Sequence, residues 1–170
     1  TLYVNEDKAD FFELLSQVSH ASLVPTQLQR YLASAELHKR SKKQTVLLGG
    51  ATIPEELVQQ AKVQRITTFS GYGMTEMAST ICAVKNELGN VGKPLKGRAV
   101  CLVDNEIWVK GDCLALGYWQ RNGEIRPLTN EQGWLQTKDL GCWNEQGHLI
   151  IKGRLDNMFI SGGENIQPEE

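Results

Sequence analysis

Through its first 84 residues the chain alternates short apolar runs with helical periodicity, and this alternation restricts the possible folds more than any other feature. The run "TLYV" predicts a strand, and Phe11, Phe12, Leu14, Leu15 and Val18 then fall on one helical face. "ASLV" predicts a second strand, after which the segment following Pro25 carries Leu28, Tyr31, Leu32 and Ala35 at helical spacing. "TVLL" predicts a third strand, Thr52 and Glu55 have the spacing of a capping box ahead of "PEELVQQAKV", and "RITTF" predicts a fourth strand. Such strand–helix order predicts an α/β fold with a mostly parallel sheet, flanking helices and ligands gathered at the carboxyl ends of the strands.

Near residue 85 the period changes from mixed to strand-like. "VCLV" and "EIWV" flank Asp104-Asn105, a two-residue hairpin turn, and "GWLQT", "GCWNEQG" and "HLIIKG" continue as short strands separated by turn residues. The expected organisation is an α/β portion over residues 1–84, a small antiparallel β subdomain over 85–153, and a third unit opening over 154–170, where "MFI" precedes Gly162-Gly163.

Composition narrows the function classes. With 41% hydrophobic and 22% charged residues in 170, the chain buries an ordered core, and a net charge of −2 supplies no broad basic surface for a nucleic-acid backbone. Cys82, Cys101, Cys113 and Cys142 include no C-x-x-C pair, which points away from a zinc site or a disulfide framework and toward a reducing, cytoplasmic setting. No apolar run approaches the roughly 20 residues of a membrane span. The first residue is Thr, and "NIQPEE" reads as the start of a helix, so the chain is expected to be part of a longer protein.

Three glycine-bearing turns are expected after strands: Gly49-Gly50-Ala51, Gly71-Tyr72-Gly73 and Gly162-Gly163. Each is explained by an ordinary turn, since glycine tolerates positive φ. Two of them ending neighbouring parallel strands would also leave a sheet edge open to a flat ligand. Thr75-Glu76 sharpens that second reading: a hydroxyl holds phosphate oxygens and an adjacent carboxylate holds Mg²⁺. Thr75 capping a short helix with Glu76 in its first turn accounts for the pair equally well. Tyr72 is suited to lie on a base. Asp139 in "QTKDLG" is suited to a vicinal diol, or is simply a turn aspartate, and Arg154 is either its basic neighbour or a surface charge. His20, His38 and His148 stand in no catalytic or metal-ligating spacing.

Taken in order, "LLGGATIP", "SGYGMTE", "GYW", "GWLQTKDLG" and "GRLDNMFISGGENIQPEE" resemble the adenylate-forming superfamily of acyl-CoA ligases, nonribosomal adenylation domains and luciferases. The resemblance spans most of the chain. "HASLVPTQLQRYL" and "DNMFISGGENIQPEE" are most similar to its o-succinylbenzoate:CoA ligase branch, which serves menaquinone synthesis. It implies an ATP-dependent acid–thiol ligase that makes an acyl-adenylate and passes the acyl group to coenzyme A, with Mg²⁺ as metal. Thr75 and Glu76 would then be catalytic, with Glu76 on the metal. Gly49, Gly50, Ala51, Gly71, Tyr72, Gly73, Met74, Thr75, Asp139 and Arg154 would hold the nucleotide. Ser70 and Gly71 would face the acid, and Asp156 would be the hinge to a C-terminal lid domain carrying Gly162 and Gly163 on the coenzyme A side. Arg30, opposite the Leu28/Leu32 stripe, is a solvated charge by periodicity and the candidate for the second carboxylate of o-succinylbenzoate by resemblance. A Gly/Ser/Thr/Lys-rich phosphate loop is expected upstream and a lid lysine downstream, so these residues alone are expected to be inactive. A ligase for another aryl or fatty acid, or a non-catalytic nucleotide-binding module, remain the alternatives.

Overall fold

The computed structural model describes residues 11–156, 159–161 and 164–166. These fall into two compact units, one running to Gly71 and including Val84–Gly89, the other comprising Tyr72–Ala83 and the residues from Asn90 onward.

In the first unit α1 (Phe11–Gln17), β1 (His20–Leu23), α2 (Pro25–Leu32), β2 (Gln44–Leu48), α3 (Glu55–Val63) and the first part of β3 (Ile66–Met74) follow the expected alternation. The α/β class is borne out. β1, β2 and β3 run parallel in that order, with Leu23 beside Leu48 and Leu48 beside Ser70, so β1 and β2 end level with each other while β3 runs on past them. The apolar positions that carried the periodicity form the core: Leu15, Leu23, Leu28, Tyr31, Val46, Leu48, Leu57, Val58 and Ile66 are all buried. The expected strand "TLYV" lies outside the described residues.

Two local expectations are corrected. The helix after Pro25 stops at Leu32, and Ala35 belongs to a separate 3₁₀ turn, Ala35–Lys39. Ser34 explains the break, because its hydroxyl donates to the Tyr31 carbonyl at 2.8 Å and competes with continued helix. The capping box at Thr52 does not form. Pro54, extended at φ −63° and ψ 135°, takes the N-cap position and contributes no side-chain bond, which leaves Glu55 as the first helical residue.

A buried polar knot organises this unit. Gln44 begins β2 with its side chain facing inward, where Nε2 donates to the Leu15 carbonyl at 2.6 Å and Oε1 accepts from the Tyr31 hydroxyl at 3.1 Å. One amide thereby satisfies α1 and α2 together, as burial of these groups demands.

The second unit is mainly antiparallel. β4 (Ser79–Lys85) pairs with β5 (Lys93–Pro94), and a four-stranded sheet has the order β11-β10-β7-β6. Its members are β6 (Arg98–Val103), β7 (Glu106–Gly111), β10 (Leu135–Trp143) and β11 (Leu149–Arg154). β8 (Gly117–Trp119) and β9 (Ile125–Pro127) form a separate hairpin. Asp104 and Asn105 adopt φ of 51° and 64° between the paired Val103 and Glu106, the two-residue turn expected from sequence. "GWLQT" and "GCWNEQG", expected as separate strands, contribute Leu135–Thr137 and Gly141–Trp143 to one long strand, β10. Met77, Ile81, Cys82, Ile107, Val109, Leu135 and Leu149 form this unit's core. All four cysteines are free. β12 (Phe159–Ser161) pairs antiparallel with β13 (Glu164–Ile166), while the intervening Gly162 and Gly163 lie outside the described residues. Among the described residues no helix is long and apolar enough to cross a membrane.

Gln44→Leu tests the buried knot. It strands the Tyr31 hydroxyl and leaves the Leu15 carbonyl only the Val18 amide at 3.4 Å, so unfolding free energy should fall by about 1–3 kcal/mol. The check is a lower guanidinium midpoint at unchanged slope.

Candidate functional site

The stretch "SGYGM" is strand. β3 continues through it to Met74, which corrects the expectation of a turn after Phe69. Neither Gly71 nor Gly73 has positive φ, so turn conformation is not their reason. For Gly73 the reason is space: a Cβ there would stand 2.1 Å from the Ser79 carbonyl oxygen and 2.8 Å from the Thr80 Cα. Only a residue without a side chain lets β3 and the start of β4 approach this closely. The strand reverses through a single 3₁₀ turn, Thr75–Met77, followed by Ala78 at φ 56°. Met74 holds the N-cap position and no side-chain cap bond is made, so Thr75 is not the cap that one reading proposed. Its side chain is exposed, whereas Glu76 is half-buried in the first turn.

Asp139 sits inside β10 rather than in a turn between strands. Gln136 pairs with Trp108 and Leu140 with Glu106, so β10 advances four residues while β7 advances two, and the surplus is a bulge. Lys138 takes φ 64° at its centre, a left-handed conformation that costs a non-glycine residue about 1–2 kcal/mol. Thr137 braces the bulge: its hydroxyl donates to the Ile107 carbonyl at 2.7 Å and accepts from the Asp139 amide at 3.0 Å. Glu106 accepts the Lys138 amide at 2.9 Å. These two partners were not anticipated. Their only trace in the sequence is period-2 spacing between Thr137 and Asp139.

The bulge delivers Asp139 to Tyr72 and Arg154. The Tyr72 hydroxyl donates to Asp139 Oδ2 at 2.5 Å, and Arg154 Nη1 donates to Oδ1 at 2.9 Å from the directly opposite position on β11. Arg154 also grips Asp156 with Nε and Nη2, each at 2.9 Å. Four of the residues singled out by sequence therefore form one network. Burial raises the Asp139 carboxyl above its ordinary range, against the opposing pull of Tyr72 and Arg154. The Tyr72 phenol is raised strongly, first by burial and then by the charge of Asp139. Arg154 is held charged, chiefly by its bond to Asp156, and that same bond lowers the Asp156 carboxyl. A carboxylate has about four lone-pair sites, so Asp139, engaged once on each oxygen, keeps one acceptor site on each. That is the pattern a vicinal diol requires.

Within the first unit, a Cβ on Gly49 would lie 3.5 Å from the Gly71 carbonyl, so these two glycines flank one another where β2 ends beside β3. Gly50 has φ 78° and is exposed, as is Ala51, while Ser70 is buried. Arg30 is exposed on α2, one turn after exposed Thr26. Among the described residues no group of three or more His, Cys, Asp or Glu side chains is placed to hold a metal ion. Glu76 instead stands as a single carboxylate, its Oε1 accepting from the Tyr118 hydroxyl at 2.5 Å and its carbonyl from the Ala115 amide at 2.8 Å. Sequence reasoning quoted "GYW" as a motif and assigned Tyr118 no task.

Tyr72→Phe removes one of the two donors that favour ionised Asp139. The Asp139 carboxyl should titrate higher, read by carbon NMR of its side chain. Because its folded value already lies above the unfolded one, its contribution to stability is full below the unfolded range and declines as pH rises through the folded value. The variant should therefore lose more stability relative to wild type at pH 7 than at pH 4.

Residues 2–119 match the AMP-binding enzyme family. A 2-succinylbenzoate–CoA ligase of Haemophilus influenzae is 57% identical over 172 residues, covering 99% of this chain and 37% of the relative. An arginine-to-lysine variant of Escherichia coli MenE with bound OSB-AMS superposes with a TM-score of 0.85 at 51% identity, covering 96% of this chain and 36% of that one. O-succinylbenzoate coenzyme A synthetase (MenE) of Bacillus subtilis, in complex with ATP and magnesium ion, gives 0.76 at 31% identity, covering 89% and 34%. The chain thus spans a little over a third of the length of these relatives. On the family match, which takes in both the parallel strands and the turn bearing Glu76, the chain belongs to the AMP-binding enzymes.

Proposed function

We propose that this chain is part of an ATP-dependent o-succinylbenzoate:CoA ligase of menaquinone synthesis. The observation that carries the reading is the Asp139 carboxylate, braced by Tyr72 and Arg154 with one acceptor site left on each oxygen. A ribose diol supplies two hydroxyl donors at matching spacing. The identity to 2-succinylbenzoate–CoA ligases supports the choice of acid.

A free carboxylate is a poor electrophile. Its attack on the α-phosphorus of ATP expels pyrophosphate and gives an acyl-adenylate; a thiolate of coenzyme A then attacks the acyl carbon and AMP leaves. In this reading Asp139 and Arg154 fix the ribose, and Tyr72 both holds Asp139 and presents a ring face to the base. Gly71, Gly73 and Met74 line the nucleotide along β3, and Thr75 donates to an α-phosphate oxygen where charge develops. Gly49, Gly50 and Ala51 lie toward adenine, with Ser70 and Gly71 toward the acid. Glu76 would hold Mg²⁺ with phosphate oxygens, and the ion would supply charge stabilisation there; a lone carboxylate fits this cation, which prefers phosphate and water to an all-protein cage. Residues 1–84 are the α/β portion of the large N-terminal domain, 85–153 a small antiparallel β subdomain, and 154–170 open the lid about Asp156, with Gly162 and Gly163 on the coenzyme A side. The free cysteines suit a cytoplasmic reaction.

Acid-dependent ATP/pyrophosphate exchange by the full-length protein, run over a panel of carboxylic acids, tests the assignment. Exchange should be strongest with o-succinylbenzoate; preference for another aryl or fatty acid moves the substrate, and no exchange with any acid removes the activity.

Arg30 reads the aromatic carboxylate through water in this proposal. Arg30→Lys keeps the charge but loses the planar fork, so kcat/KM for o-succinylbenzoate should fall about 5- to 30-fold, mostly through KM, while KM for ATP holds. An analogue without the ring carboxylate should not sense the change. Equal losses for both acids in steady-state kinetics would return Arg30 to the solvated surface.

A further inference from the structure

The β8–β9 hairpin is short and largely exposed, and a two-stranded hairpin of this size has little stability of its own. It nevertheless takes hold of one residue at two points. The Ala115 amide, just ahead of β8, donates to the Glu76 carbonyl at 2.8 Å, and the Tyr118 hydroxyl donates to Glu76 Oε1 at 2.5 Å. Tyr118 is itself backed: Arg126 is its cross-strand partner, and the guanidinium lies 5.4 Å from the centroid of the phenol ring. The Ala115 amide thus holds the main chain of Glu76 and the Tyr118 hydroxyl its side chain, on a three-residue 3₁₀ turn that offers little rigidity by itself.

From this geometry we propose that Tyr118 is a positioning residue for Glu76, holding the carboxylate in the orientation from which it binds a divalent cation. The inference rests on the reading of Glu76 as the metal carboxylate. A hydroxyl that donates to Oε1 leaves Oε2 and the second acceptor site of Oε1 open, and it restrains the terminal torsion, which in glutamate is broad and weakly set. The hydroxyl acts through Glu76 and takes no part in the bond-making steps. Groups that orient a metal-binding side chain from behind change cation affinity by about 10- to 100-fold when removed.

Tyr118→Phe keeps the ring under Arg126 and deletes only the donor. The test uses the full-length protein with ATP: Mn²⁺ binding is followed by electron paramagnetic resonance, and the Mg²⁺ dependence of pyrophosphate exchange is measured in parallel. In Tyr118→Phe the half-saturating Mn²⁺ concentration should rise about tenfold, with exchange at saturating Mg²⁺ close to wild type and the melting temperature unchanged. Glu76→Gln should weaken Mn²⁺ at least as much, and adding Tyr118→Phe to it should change nothing further. Unaltered Mn²⁺ binding in folded Tyr118→Phe overturns the proposal, as does a further loss in the Glu76→Gln background. If Glu76→Gln leaves Mn²⁺ binding intact, the metal role of Glu76 falls and the positioning role with it. If the Mn²⁺ effects appear as stated but no acid supports exchange, the positioning role stands and the ligase reading fails.

Discussion

The second unit depends on the hydrogen bond from Tyr72 to Asp139, which joins residues 67 apart in sequence. A carboxylate placed inside a β-sheet bears a desolvation cost that only aimed donors offset. Tyr72 provides one from the end of β3, and Arg154 provides the other from β11. The bulge at Lys138 is the backbone's share of the arrangement, a local strain held by Thr137 and Glu106 because it aims Asp139 at both donors.

Arg154 extends this network by one step. Its guanidinium divides its donors between Asp139 on the neighbouring strand and Asp156 in the turn that follows β11. Both carboxylates report the arrangement in opposite directions: Asp139 is raised because burial outweighs its donors, and exposed Asp156 is lowered because its bond to the arginine outweighs desolvation. A planar fork does this where an ammonium would not, since three nitrogens address two partners at fixed angles.

The two units solve the same problem of buried polarity with different means. In the first, one amide, Gln44, satisfies a helix carbonyl and a tyrosine hydroxyl without any charge. In the second, the buried polar group is ionisable and its partners tune it. The neutral knot serves packing, whereas the charged one keeps acceptor capacity in reserve, and this difference is why the functional reading falls on Asp139 and not on Gln44.

Periodicity in the sequence determined the α/β class, the three parallel strands that are described, the hairpin at Asp104-Asn105 and most of both cores, because burial of an apolar face is a local pattern repeated along the chain. Residue order also marked Tyr72, Glu76, Asp139 and Arg154 as chemically suited groups, and the family resemblance marked Asp156. It misjudged Gly73, whose small size answers to Ser79 on the next strand rather than to its own φ, and it placed Asp139 in a turn because a bulge and a turn share the same polar residues. It could not find the partnership of Tyr118 with Glu76 or the bracing by Thr137, since these pairings join residues 42 and 30 apart whose spacing carries no periodic signal. Which side chains meet across such distances was decided only by tertiary structure, where strand register and one close backbone approach set the directions in which donors point.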